Sequence, residues 1–95
     1  MYEKLFSPAK IGSVTIKNRL VMSPMGTGIA NMDGTPSDAI IQYFEDRAIG
    51  GCGLIYTEVC RVNDYNGGAM LRQLALTRDS QIEPMSKLVR AVQKH

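Results

Sequence analysis

Two short stretches hold the residues whose types and spacing suit ligand chemistry: Ser23-Pro24-Met25-Gly26-Thr27-Gly28 and Thr57-Glu58-Val59-Cys60. Each follows an apolar run, Leu20-Val21-Met22 in the first case and Leu54-Ile55 in the second. A strand that stops in Pro and Gly presents bare backbone, so main-chain groups can grip a flat, polar ligand that no side chain blocks. An ordinary strand ending in a turn has the same pattern, so neither stretch decides the matter alone. Glu58 is the one carboxylate inside a strand-like run. It suits a hydrogen bond to a cofactor or substrate, the fixing of a neighbouring strand or, the more common case, an ion pair with an Arg or Lys of a later strand. The Thr27 hydroxyl can serve a ligand carbonyl or its own backbone in a turn. Met22, Met25 and Met32 offer thioethers to the face of a flat ring, or plain core filling.

Other chemistry is thin. Arg19, beside Asn18, either reaches a phosphate or anchors the neighbouring chain. The one histidine, His95, has no visible partner in the sequence, and no catalytic role is expected of it. P-loop, GxGxxG, GxSxG and metal-ligand patterns are absent. Cys52 and Cys60 are too few for a disulfide framework and read as reduced thiols in or near a core, which favours a cytoplasmic protein. A net charge of +2 without a basic run gives no reason to expect nucleic acid. No apolar stretch approaches the roughly 20 residues that span a bilayer, and the first residues lack signal-peptide features, so no membrane partner is expected. With 44% hydrophobic residues, the 95-residue chain reads as one small globular unit.

The elements that must position the two stretches are legible from periodicity. Lys10-Ile11 and Val14-Thr15-Ile16 flank Gly12-Ser13, a type II′ hairpin signal. Leu20–Ser23 is expected as a strand. Thr35 is expected to cap a helix with Pro36 at its first position, and Ile40, Ile41, Phe44 and Ala48 form its apolar stripe. Gly50-Gly51 end it. Residues 53–59 read as a second strand, buried on both faces as in a parallel sheet. After an Asn63–Gly68 loop, Leu71–Thr77 is irregular or briefly extended. Ser80-x-x-Glu83 predicts a capping box, and Met85, Leu88, Val89 and Val92 predict the buried face of a second helix.

This β-α-β-α order is the α/β signature, and in such folds ligands gather at the C-terminal ends of the parallel strands. Both candidate stretches fall there. Two parallel strands alone leave unpaired edges, which points to the opening part of a barrel or doubly wound sheet, with an intact small domain of this order as the alternative.

A resemblance sharpens this reading. Leu5-Phe6-Ser7-Pro8, Ile11-Gly12, Ile16-Lys17-Asn18-Arg19 and Ser23-Pro24-Met25 resemble the opening of the Old Yellow Enzyme family of FMN oxidoreductases. Tyr43, Arg47-Ala48, Gly50-Gly51, Gly53-Leu54-Ile55 and Thr57-Glu58 agree with it. The chain resembles in particular the NADH:flavin oxidoreductase branch, with its 2,4-dienoyl-CoA and enoate reductases. Thr57–Cys60 is also similar to trimethylamine dehydrogenase of the same superfamily.

The resemblance implies an α/β fold in which residues 1–95 are the opening hairpin and first two βα units of a (β/α)8 TIM barrel. FMN would lie at the barrel mouth. Pro24, Met25 and Gly26 match the family's flavin-contacting turn, and Thr27 follows them. Val59 matches a position where relatives often carry Gly or Ala beside the flavin. Gly28 stands where some relatives place an aromatic substrate contact, so that role is not expected here. The implied activity passes hydride from NAD(P)H through FMN to an activated alkene. The residues implied for protonation, for the FMN phosphate and, in some relatives, for a 4Fe-4S cluster lie on later strands. The 95 residues alone are therefore expected to be inactive. The alternative is a non-catalytic truncated module that forms homo-oligomers through open sheet edges.

Overall fold

The computed structural model describes residues 1–95. β-Branched residues on either side of Gly12-Ser13 close a hairpin, β1 (Ala9–Ile11) against β2 (Val14–Ile16), with Ile11 opposite Val14. Gly12 takes φ +59°, the positive value that a two-residue II′ turn needs at its first central position. Arg19 serves as an anchor for the preceding segment: its N–H donates to Leu5 O (2.9 Å) and its guanidinium to Pro8 O (3.4 Å).

The central pair is parallel. β3 (Val21–Met22) lies beside β4 (Leu54–Ile55), with Val21 opposite Leu54 and Met22 opposite Ile55. Asn18 sets the start of this pair. Its buried amide donates to Gly51 O (2.7 Å) and accepts from Leu20 N–H (3.0 Å), tying β3 to the turn that leads into β4. Gly53 must approach this point closely, since a Cβ there would stand 2.5 Å from both Asn18 O and Oδ1.

α1 (Asp38–Ile49) joins the two strands, and its stripe buries Ile40, Phe44 and Ala48 as the 3.6-residue spacing predicts. Its cap differs from the expectation. Ser37, not Thr35, is the N-cap, accepting from Ile40 N–H (3.2 Å) and donating to Ile29 O (2.5 Å). Thr35 is taken by its own loop, donating its hydroxyl to Asp33 (2.6 Å) and accepting from Asn31 (2.9 Å). Pro36 accordingly precedes the cap.

The expected second strand over 53–59 is a two-residue bridge at β4, followed by a break. A separate strand, β5 (Cys60–Arg61), pairs in parallel with β6 (Leu74–Ala75). A 3-10 turn at Asp79–Gln81 then leads into α2 (Ile82–Gln93). The Ser80–Glu83 capping box does not form. Gln81, buried, does that work instead: its Oε1 accepts from the N–H groups of Thr77 (2.8 Å) and Arg78 (3.2 Å), and its Nε2 donates to Asp33 O (2.8 Å). On α2 Leu88 is buried, Met85 and Val92 are partly so, and Val89 faces outward, which narrows the expected stripe.

Ala30, Ile40, Phe44, Leu74 and Leu88 form one core cluster between the two helices and the short strands. Phe44 meets Tyr43 edge-to-face at 5.2 Å, and Arg47 covers the outer face of Tyr43 at 3.7 Å. No helix is long and apolar enough to cross a membrane.

Candidate functional site

Because β3 and β4 run parallel in register, their C-terminal ends leave the sheet on the same side. Ser23–Gly28 follows one end and Tyr56–Val59 the other. Pro24, Met25 and Gly26 are exposed, and Met25 keeps 64% of its surface open. This end of the pair therefore presents open backbone with one exposed thioether beside it.

A single side chain joins the two ends. Glu58 is 3% exposed, and its Oε2 accepts the main-chain N–H of Thr27. Of the roles open to Glu58, this is the fixing of a neighbouring strand, and the partner is backbone rather than a ligand or a basic side chain. The second carboxylate oxygen, Oε1, is buried without a hydrogen-bond partner. A buried oxygen of this kind costs desolvation free energy unless something outside these residues donates to it. The Thr27 hydroxyl takes the turn role, accepting from Ile29 N–H at 3.4 Å.

Fixing Thr27 leaves its neighbours free. The main-chain N–H groups of Met25, Gly26 and Val59 make no hydrogen bond within the chain. The structure therefore brings Pro24, Met25, Gly26, Thr27 and Val59 to one end of the parallel pair, with three uncommitted donors among them. Met22 packs against the core and Met32 is exposed in the next loop, so neither joins this group.

The loop after β5 borders the site. Met70 comes so near Gly26 that a Cβ there would stand 2.5 Å from Met70 Cε and 3.2 Å from its Sδ. Gln73, fully buried, organises this loop. Neither Met70 nor Gln73 stands out in the sequence as a site residue. The one available signal is an amide directly before the apolar run Leu74-Ala75-Leu76, where a hydrogen-bonding role is the usual explanation once it is buried. Arg61 pairs with Asp64 (3.0 Å), which also receives Arg78 (3.0 Å) and the Thr77 hydroxyl (2.8 Å). Hydrogen bonds from Arg61, then Thr77 and Arg78, hold the Asp64 carboxyl below the ordinary value of 3.8. Burial pushes the Cys60 thiol up, against the opposing pull of Arg61, which favours its protonated form. His95 does have a partner, Glu45, at 3.1 Å, on the helical side and away from the strand ends.

The chain is similar to known proteins in sequence and fold. Residues 4–95 match the family model described as the NADH:flavin oxidoreductase / NADH oxidase family. The chain is 39% identical to an NADH oxidase of Thermoanaerobacter brockii over 94 residues, 99% of this chain and 14% of that protein. It is 45% identical over 64 residues to a cinnamate reductase of Clostridium sporogenes, covering 66% of this chain and 10% of that one. Among solved structures, the old yellow enzyme from Trypanosoma cruzi superposes with a TM-score of 0.86 at 36% identity, over 98% of this chain and 24% of its own. The chain thus spans a minor part of the length of each relative, and its hairpin and two βα units are the opening part of their (β/α)8 barrel. It belongs to the NADH:flavin oxidoreductase / NADH oxidase family, the Old Yellow Enzyme group of flavoproteins.

Proposed function

We propose that residues 1–95 form the flavin-facing opening of an FMN-dependent oxidoreductase that takes reducing equivalents from NAD(P)H and acts on activated alkenes. The observation that carries this reading is the Glu58–Thr27 link, which holds two strand ends together while leaving the N–H groups of Met25, Gly26 and Val59 unpaired. A flavin fits these residues. Its ring system is flat, and its polar edge carries acceptor atoms that need N–H donors from a surface without obstructing side chains. Pro24, Met25 and Gly26 would support the ring, Thr27 would border it, and Val59 would contribute its backbone from the second strand. Its side chain is bulkier than the small residues common there, but a main-chain contact is unaffected by that.

FMN, when bound, supplies hydride transfer between a nicotinamide and an electron-poor C=C bond. The task of this chain's residues is orientation: rigid main-chain donors near the ring's polar edge stabilise negative charge there without reorganising. No side chain of the 95 residues is assigned to proton transfer, so the isolated chain is read as incomplete for turnover. The proposed setting is a cytoplasmic protein in which further barrel strands complete the pocket.

Fluorescence titration of FMN with the 95-residue chain tests the reading. Quenching that saturates at high micromolar or millimolar concentration, and that weakens when Gly26 is replaced by Val, is the expected result. Flavin emission unchanged at millimolar chain would overturn it. Enone reduction by the chain with FMN and NADH would overturn the assignment of an incomplete site.

A further inference from the structure

The residue that borders the candidate site most closely does not belong to either strand end. Met70 sits in the β5–β6 loop, and Gln73 decides how that loop runs. The Gln73 Oε1 accepts from the N–H groups of Ala69 (2.7 Å) and Met70 (3.1 Å), while its Nε2 donates to Gly67 O (3.4 Å). Its own carbonyl accepts from Arg61 (3.3 Å). A buried amide engaged at both ends fixes several main-chain points at once, and with them the direction in which Met70 leaves the chain.

Gly26 and Met70 are complementary. Gly26 does not occupy the positive-φ region, so its backbone makes no demand for glycine. The absence of a side chain there leaves the room that Met70 Cε and Sδ fill, so the methionine tip lies directly over the Gly26 backbone. Met70 nonetheless keeps 39% of its surface open, beside the unpaired N–H groups of Met25 and Gly26. A thioether held at the rim of a bare-backbone surface is suited to the edge of an aromatic ring, a contact that sulfur favours over a plain methylene.

We infer that Met70 is a ligand-contacting wall of the Pro24–Thr27 site, holding the edge of the bound flavin ring, and that Gln73 is the positioning residue that sets it there. The inference rests on the flavin reading above. It adds a contact from a loop that neither strand end predicts.

The test uses the 95-residue chain with 13C-methyl methionine, titrated with FMN to millimolar concentration. Ring current from a bound flavin is expected to move the Met70 methyl together with the Met25 and Gly26 amides. Met70→Ala is expected to weaken FMN binding by about two- to tenfold, the range of a sulfur–aromatic contact. Gln73→Leu is expected to abolish the methyl shift and speed exchange at the Ala69 and Met70 amides, while the Leu88 amide stays protected. If that variant does not fold, Met70→Ala decides alone, since its side chain is partly open. Shifts at Met25 and Gly26 with an unmoved Met70 methyl, or unchanged affinity in Met70→Ala, overturn this inference and leave the flavin reading standing. No shift at any of the three overturns both.

Discussion

The Glu58 carboxylate accepts the main-chain N–H of Thr27, across 31 positions of sequence, and so ties the end of the first barrel strand to the end of the second. Neither strand is long enough to hold its own end in place. β3 and β4 are two residues each, and past them the only main-chain bond between the two runs is from Tyr56 N–H to Met22 O (3.1 Å). The carboxylate supplies the missing constraint.

Glu58→Ala is therefore expected to free the Thr27 segment, with a modest effect on global stability. The bond lost is charge-assisted, about 1.5–3 kcal/mol, but the substitution also removes the unpartnered Oε1, whose burial costs a comparable amount. The two effects offset, so the net change should stay within about 2 kcal/mol, with Glu58→Gln nearer to zero because it keeps an acceptor. Urea denaturation gives the stability, and amide exchange at Thr27 reads the link directly. Unchanged Thr27 exchange in Glu58→Ala would show that the segment is held by something else.

The site's location was legible in the sequence because Pro24, Gly26 and the apolar-to-polar change near Glu58 are local signals. The link between them was not, because the partner of Glu58 is a backbone N–H, which leaves no side-chain signature. The helices were legible for a different reason: Ile40, Phe44 and Ala48 repeat at the helical period, and burial follows period closely. Strand extents fared worse. Whether Tyr56 or Thr57 is paired depends on what lies beside it, and Cys60-Arg61 has no β signal of its own until Leu74-Ala75 comes alongside. The misplaced cap has a similar cause, since Thr35 and Ser37 are both good N-caps and Asp33 removes Thr35 from competition.

Gly53 is expected to tolerate no side chain. Its Cβ would meet Asn18 O and Oδ1, and neither is the loose end of a flexible group: one is backbone and the other is held by Leu20 N–H. Gly53→Ala must therefore part β3 from β4 or break the Asn18 bonds to Gly51 and Leu20, at a cost of roughly 2–4 kcal/mol. Gly50→Ala is the control, because its nearest contacts lie at ordinary separations of 3.4–3.5 Å. Thermal melts of the two variants should differ clearly. Equal melting temperatures would mean that the β3–β4 approach is looser than the distances imply.

Stability should also fall with acid in a definite window. Asp64 is held below its ordinary 3.8 by Arg61, Thr77 and Arg78, and Asp33 below the same value chiefly by Thr35. A carboxylate whose folded-state value is depressed contributes stability fully above its unfolded value and loses it as pH falls through the folded value. The contribution is therefore intact at pH 5 and above, and declines from about pH 4 downward. Both groups are solvent-accessible, so salt should weaken the effect. Denaturation midpoints measured from pH 7 to pH 2 should show this decline, and Asp64→Asn should flatten part of it. A profile identical in Asp64→Asn would remove the Arg61–Asp64–Arg78 cluster as its source.

Self-association is the expected behaviour of the chain by itself. β3 and β4 form a two-stranded sheet, so each has one edge unpaired, and Val21 on β3 and Tyr56 just after β4 are exposed. On the outer side of α2, Leu76, Ile82, Met85 and Val89 line an apolar groove of about 480 Å³. Unpaired edges recruit other strands, and exposed apolar faces recruit one another, so both features favour association over a stable monomer. Sedimentation at micromolar concentrations should show species heavier than the 95-residue monomer, persisting in high salt because apolar contacts are not screened. Val21→Lys, which places a charge on the open pair, should shift the distribution toward monomer, and Val89→Lys should do the same at the helical face. A monomer at all concentrations would mean that both surfaces are protected in solution, and the alternative of homo-oligomers through open sheet edges would fall with it.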